Sequence, residues 1–342
     1  MYSYQSGDNA LQELLVRWEQ KWSRDIVTDW DLFCFKVLTM GNRFEQDKGN
    51  GRKLAWKVRI GKPTSYPTAY PMATTPAAPY QRRVQAELFF VPRSVHPGIP
   101  LEELDMMGAD SEHNVNLKSD EMADSEQVLK EWLDYGFWNG TGNHLIGQMT
   151  GADAAVNDVL GTPVYANLSA AVHARWQANV RRAAWTLWLG TLCSIVLPLY
   201  NRSRGHLGKP DLMACGETVY TGIQHIMTDR QFNYETNPKA ADMGLGSAVI
   251  RYHNMTIEEG GDHMPGGSDS DQIFGFNSKD IALRYIGRAL TVTHDWREDY
   301  SNNMLECLVR AHAQWMWGSR EYHFRCFNTR VPEDPTVPPT ES

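Results

Sequence analysis

The residue types best suited to chemistry gather in one acidic, glycine-rich stretch. His253, Glu258, Glu259, Asp262 and His263 lie within eleven positions, with Asp269 and Asp271 close behind. Imidazoles and carboxylates together could hold a divalent cation, yet this spacing matches no known ligand geometry, and such loops are usually solvated. Other candidates fail on pattern. Gly205-His206-Leu207-Gly208-Lys209-Pro210 ends in Gly-Lys but lacks the preceding Gly-x4 spacing, and Pro210 stands where a phosphate loop needs a magnesium-binding hydroxyl. Gly140-Thr141-Gly142 with Gly147 misses the dinucleotide spacing and follows a helix rather than a strand. Eleven histidines include no His-Glu-x-x-His, and no Gly-x-Ser-x-Gly occurs. Arg175, Arg181 and Arg182 surround Trp176, a small basic patch of the kind more often found on a solvated helix face. No catalytic, cofactor or metal residue is therefore assigned, and the chain is expected not to be an enzyme. A carbohydrate-active enzyme remains a distant alternative, motivated only by 12 Trp and 14 Tyr.

The chain that must position these groups has 342 residues, 42% apolar and 22% charged, which suits one large or two modest globular domains. A net charge of −8 argues against a protein that grips phosphate backbones, which needs concentrated Lys and Arg. Five scattered cysteines (Cys34, Cys193, Cys215, Cys307, Cys326) form no Cys-x-x-Cys pair, so neither a disulfide framework nor a zinc knuckle is supported, and a reducing compartment is expected. The opening residues lack a signal-peptide pattern, which leaves four Asn-x-Ser/Thr triplets as chance matches. The nearly uncharged run 183–200 contains Gly190, Ser194 and Pro198 and is expected to be a buried helix rather than a membrane span.

Two pieces stand out. The first is an extended arm, 49–92. Leu54, Trp56, Val58 and Ile60 alternate with polar residues, and Val84, Ala86, Leu88 and Phe90 repeat the pattern, as half-buried strands do. Between them lies a tip with Pro63, Pro67, Pro71, Pro76 and Pro79 and with Tyr66, Tyr70 and Tyr80. Proline excludes this tip from a sheet interior. It is either a loose surface insertion or a protruding hairpin whose apolar face another molecule buries. A lone hairpin is marginal in water, which favours the second. Trp56, Val58, Tyr66, Tyr70, Tyr80, Val84, Leu88 and Phe90 are the candidate assembly-interface residues.

The second piece is a helix over 119–135, capped by Ser119 or Asp120, with Met122, Val128, Leu129, Trp132 and Leu133 on its apolar face. It breaks on a glycine cluster: Gly136, Gly140, Gly142, Gly147 and Gly151. Elsewhere the pattern predicts an amphipathic helix around Leu11–Trp22 and a mostly helical 170–200. It then predicts a buried strand at 210–214, a helix at 217–227, short strands within 248–257 and 272–285, a helix at 304–317 and a strand at 322–327. The tail 331–342, with four prolines in its first ten residues, reads as disordered.

This order resembles the major capsid proteins of tailed bacteriophages, which share the Hong Kong 97-type fold with encapsulins. The arm corresponds to that family's E-loop. The helix with its exit Phe137-Trp138-Asn139-Gly140-Thr141-Gly142 and Leu145-Ile146-Gly147 is similar to the spine helix and its glycine-rich exit, although Gln148 stands where leucine is commoner. Pro210-Asp211-Leu212-Met213 resembles the start of the central strand of the A-domain. Ile273-Phe274-Gly275-Phe276-Asn277-Ser278-Lys279, after Met264-Pro265, resembles a strand that follows it.

The resemblance implies an α+β fold with a spine helix, a mixed-sheet A-domain and a long β-hairpin arm. It divides the chain into an N-terminal arm and helix (1–48), the hairpin (49–93), a peripheral domain containing the helix (94–180), an axial domain (181–290), a return to the peripheral domain (291–330) and the tail (331–342). It implies a subunit that binds itself in pentamers and hexamers, enclosing DNA without reading its sequence, with portal, scaffolding and decoration proteins as further partners and no cofactor. The location implied is the virion capsid, assembled in the host cytoplasm; an encapsulin-type cellular shell is the alternative.

Overall fold

The computed structural model describes residues 32–47, 51–59, 83–102, 111–141, 148–157, 164–169, 176–204, 207–229, 250–287 and 289–332. The expected N-terminal helix, the arm tip and all but the first residues of the tail lie outside these. The α-helices whose bounds fall among the described residues are α1 (Phe33–Gly41), α2 (Ser111–Asn139), α3 (Ala152–Ala155), α4 (Leu189–Arg202) and α5 (Glu217–Asp229).

Two sheets carry the architecture. The central strand of one is Leu212–Cys215, an apolar run whose four residues are all buried, as a strand covered on both faces requires. Its side chains alternate between two cores. Leu212 and Ala214 face a core with α1 and α2, whereas Met213 and Cys215 face a smaller one with α4 and α5. This strand pairs parallel with Met255–Glu259 and antiparallel with Ile273–Phe276. Ile250–Tyr252, Phe324–Cys326 and Asn179–Arg181 complete six strands. In the other sheet, Val309–Trp317 is flanked by Ile281–Tyr285 and Thr291–Thr293 along one edge and by Val91–Val95 along the other; Phe44–Gln46 adds to it in parallel beyond Ile281–Tyr285. Aromatic rings fill the space between the sheets and α2: Phe137 and Trp138 lie 5.1–5.8 Å from Trp315, Trp317, Phe274 and Phe276.

Several expectations are corrected here. The segment 304–317 is not a helix but the strands Met304–Glu306 and Val309–Trp317. Ala311 and Ala313 favour helix by propensity, but Val309, Ala311 and Ala313 are buried while Arg310 and His312 are exposed. That period of two decides the structure. Among the described residues of 170–200 the α-helix is confined to α4; Asn179–Arg181 and Trp185–Thr186 are strands. α4 spans 14 residues and contains Pro198, and among the described residues no helix is long and apolar enough to cross a membrane. α2 begins eight residues before the expected start, so Ser119 and Asp120 are interior positions and not caps. Within its apolar face, Met122, Leu129 and Leu133 are buried, but Val128 is 47% exposed.

Candidate assembly surface

The arm begins as a two-stranded hairpin, Lys53–Arg59 paired antiparallel with Arg83–Phe89. The register places Leu54 opposite Leu88, Trp56 opposite Ala86 and Val58 opposite Val84, so the two alternating patterns share one face. That face lies on its own subunit: Leu54, Val58, Ala86, Leu88 and Phe90 belong to the main core, with Trp56 and Val84 packed against it. Trp56 Nε1 donates to the Gly318 carbonyl (3.2 Å), and the Glu87 amide donates to the Ala166 carbonyl (3.0 Å). Five of the eight candidate interface residues, Trp56, Val58, Val84, Leu88 and Phe90, are thus brought together as the hairpin's internal anchor. The face expected to await a neighbour is covered within the chain, because β-branched and aromatic alternation reports burial without saying by what. Tyr66, Tyr70 and Tyr80 lie outside the described residues. The opposite face carries Lys53, Lys57, Arg83 and Gln85, all exposed, and Lys53 pairs with Glu87 at 3.2 Å.

Gln314 is the residue that ties this anchor to the helix exit, and the sequence reading missed it. It is 1% exposed on the strand Val309–Trp317. Its Oε1 accepts from the amides of Thr150 and Trp315 (both 3.0 Å), and its Nε2 donates to the Phe89 carbonyl (2.9 Å). A polar residue amid apolar ones, in a stretch read as helix, offered no signal of its own.

Gly140 and Gly151 of the glycine cluster are explained by close approach, whereas Gly142 and Gly147 lie outside the described residues. The chain leaves α2 at Gly140, returns through the Thr141–Thr150 bridge, and lays Gly151 directly on the helix end, with the Gly151 amide donating to the Gly140 carbonyl (2.8 Å). A β-carbon on Gly151 would sit 2.7–2.8 Å from the Gly136 carbonyl oxygen, the Gly140 amide and the Phe137 carbonyl oxygen. On Gly140 it would strike the Met149 carbonyl.

The two strand motifs meet. Asp211, just before Leu212–Cys215, accepts from the Ser278 amide (2.8 Å) and hydroxyl (2.6 Å). Asn277 accepts from the Lys279 amide (3.2 Å), closing the turn. Behind them His323 is fully buried: the Asn277 amide points at Nδ1 (3.3 Å), which fixes Nδ1 as acceptor and lets Nε2–H donate to Asp280 (3.2 Å).

The acidic stretch is dispersed. His253 stacks on Tyr200, Glu258 pairs with Lys36 (3.0 Å) and His263 with Asp134 (3.0 Å). Among the described residues no three His, Cys, Asp or Glu side chains are grouped to hold a metal. Of the basic patch, Trp176 is buried and donates to the Tyr165 carbonyl (3.1 Å), while Arg182 stacks on Phe327. Arg325, between Phe274 and Phe327 and bound to Asp153 (2.6 Å), is likewise internal; burial lowers its pKa.

An α+β chain with a long helix against a mixed central sheet and a hairpin arm defines a class, and comparison with solved structures identifies it. The chain has the Hong Kong 97-type capsid fold. It is similar to the cyanophage A-1(L) capsid (TM-score 0.57, 11% identity, 86% of this chain and 92% of that chain covered) and to the capsid of an empty GTA particle (0.57, 9%, 85% and 89%). It is also similar to the SrpI encapsulin from Synechococcus elongatus PCC 7942 (0.54, 8%, 88% and 90%). No family model and no curated protein matches the sequence.

Proposed function

We propose that this protein is the major capsid protein of a tailed bacteriophage, assembling through pentamers and hexamers into an icosahedral shell around double-stranded DNA. The observation that carries the reading is the extent of the likeness: the fold runs through 85–86% of this chain and takes in 89–92% of the two viral-type capsid chains. Nearly the whole of the chain is therefore committed to that fold.

In this reading the division drawn from the sequence applies: an N-terminal arm (1–48), the hairpin (49–93), a peripheral domain split between 94–180 and 291–330, an axial domain (181–290) and a tail (331–342). The axial domain surrounds the capsomer axis and α2 lies in the shell wall. The arm's base is fastened at home, so its tip, with Tyr66, Tyr70 and Tyr80, reaches the adjacent subunit. Contacts of that heterologous kind close into rings and tile into shells. A net charge of −8 suits a wall that encloses DNA without holding it. Portal, scaffolding and decoration proteins would be the partners, and the host cytoplasm the place of assembly.

Electron microscopy of the protein expressed alone, and with the products of its neighbouring genes, tests this. Closed shells, tubes or hexagonal sheets are expected; a monomer under both conditions refutes it. Portal and terminase genes nearby would mark a phage, and a ferritin-like or peroxidase cargo gene an encapsulin. Deleting 64–79 is expected to leave a soluble subunit that forms no shell, and normal shells from that deletion would remove the tip from its role.

A further inference from the structure

The loop 260–267 connects two strands of the six-stranded sheet and lies on the last turns of α2. Three glycines, Gly261, Gly266 and Gly267, hold φ values of +74°, +98° and +79°, backbone that other residues adopt only with strain. The loop is fastened at two adjacent residues of different character. Met264 is buried in the main core, a contact indifferent to pH. His263 sits at the surface edge, where Nδ1 meets Asp134 Oδ2 at 3.0 Å. Asn139, one turn further along α2, donates to the His263 carbonyl, and the Tyr135 ring meets the imidazole edge-on at 6.0 Å.

Asp134 cannot turn away to solvent. It is 2% exposed, and its other oxygen accepts the Cys34 amide in the first turn of α1 (2.9 Å). A buried carboxylate fixed by one backbone amide thus presents its second oxygen to a partly exposed imidazole. The charged groups facing that imidazole are all acidic: Asp134 and Glu131 from α2, and Asp262 from the loop itself.

We infer that the Asp134–His263 pair is a pH-sensitive latch that clamps the 260–267 loop, and with it the six-stranded sheet, onto the end of α2. The hydrogen bond to Asp134 is the main cause that raises the His263 pKa above its ordinary value, with burial opposing it. A raised value in the closed state means the latch is fully engaged below the open-state histidine pKa of about 6.5. It weakens as the pH climbs through the raised value, because the ion pair then falls back to a neutral hydrogen bond. The closed-to-open ratio changes about tenfold for each pH unit between the two pKa values. The latch couples the six-stranded sheet to α2 within one chain and stands whether or not that chain builds shells.

Hydrogen exchange read by mass spectrometry on the full chain at about pH 5.5 and about pH 8.5, corrected for intrinsic exchange, tests it. Peptides covering 260–267 and the last two turns of α2 are expected to open several-fold more often at the higher pH, with the Leu212–Cys215 strand unchanged. In His263→Gln, which keeps a donor for Asp134 but does not titrate, that pH dependence is expected to vanish. Wild-type protein with equal opening at both pH values overturns the latch, as does a His263→Gln variant that keeps the wild-type difference. If His263→Gln does not fold, the wild-type comparison decides alone: a rise confined to those two peptides supports the latch, and a flat or chain-wide response refutes it.

Discussion

Gly151→Ala separates two reasons a glycine can stand after a helix. Gly151 has φ −94° and ψ −173°, extended backbone that alanine adopts freely. If glycine were there only for its freedom, alanine would reduce the entropy of the unfolded chain and stabilise the fold by about 0.4–1 kcal/mol. The packing gives the opposite sign. The new methyl would lie 2.7–2.8 Å from two backbone oxygens of α2 and the Gly140 amide that follows it, about 0.7 Å or more inside the optimum for non-bonded carbon. None of the three belongs to a side chain that can swing aside. Overpacking of this kind costs about 1–3 kcal/mol, and pushing Gly151 off the helix end loses its bond to the Gly140 carbonyl, about 1 kcal/mol more. A destabilisation of about 2–4 kcal/mol is expected, large against the 5–15 kcal/mol of a typical domain.

Urea unfolding followed by tryptophan fluorescence reads this directly, since Trp138 is fully buried two residues before Gly140. Gly98→Ala is the matched control: there the new methyl meets the terminal carbon of Met304 (2.7 Å), a flexible side chain that can move, so the cost is expected below about 1 kcal/mol. Equal midpoint shifts for the two variants, or a Gly151→Ala within about 0.5 kcal/mol of wild type, would refute the close-approach argument.

Gln314→Leu removes the acceptor for the Thr150 and Trp315 amides and the donor to the Phe89 carbonyl. A loss of about 2–4 kcal/mol is expected in the same assay, with faster exchange in the hairpin base; a neutral effect would show that the hairpin's anchor is apolar only. Thiol labelling of the native chain should modify Cys193 rapidly and spare Cys34, Cys215, Cys307 and Cys326, because only Cys193 is exposed. Burial also pushes the Cys307 and Cys326 thiols up to about 11 and about 12, away from the reactive thiolate. Two or more fast sites by mass spectrometry would contradict the two-core packing.

What could be read from the sequence follows from range. Leu54, Trp56 and Val58 announce a strand because each signal lies two residues from the next, and Leu212–Cys215 because a short apolar run is bounded by Pro210 and Gly216. The strand Val309–Trp317 failed because its alternation is legible only to Ala313; Gln314 and Met316, both buried, interrupt it. Gln314 is buried because the helix exit and the hairpin base close over it, a fact of tertiary packing. The bonds that join the parts lie further apart still: Asp211 to Ser278 spans 67 positions, His263 to Asp134 spans 129, and Gln314 to Phe89 spans 225. No local window contains both members of such a pair.

The same distinction bears on what the arm is for. An arm that serves a neighbour must leave its own subunit in a fixed direction, or each copy would present its tip differently. The hairpin's base is fixed by the seven residue pairs from Lys53↔Phe89 to Arg59↔Arg83, whose apolar face is locked into the core by Leu54, Val58, Ala86 and Leu88 and by the Trp56 bond to Gly318. Gln314 then ties the hairpin's return strand to Val309–Trp317, whose Trp315 Nε1 donates to the Leu133 carbonyl of α2 (3.1 Å). The hairpin, the strand Val309–Trp317 and the long helix are thereby held in one frame. The apolar alternation that looks like a surface awaiting a partner is the foundation that fixes the hairpin's base to its own subunit.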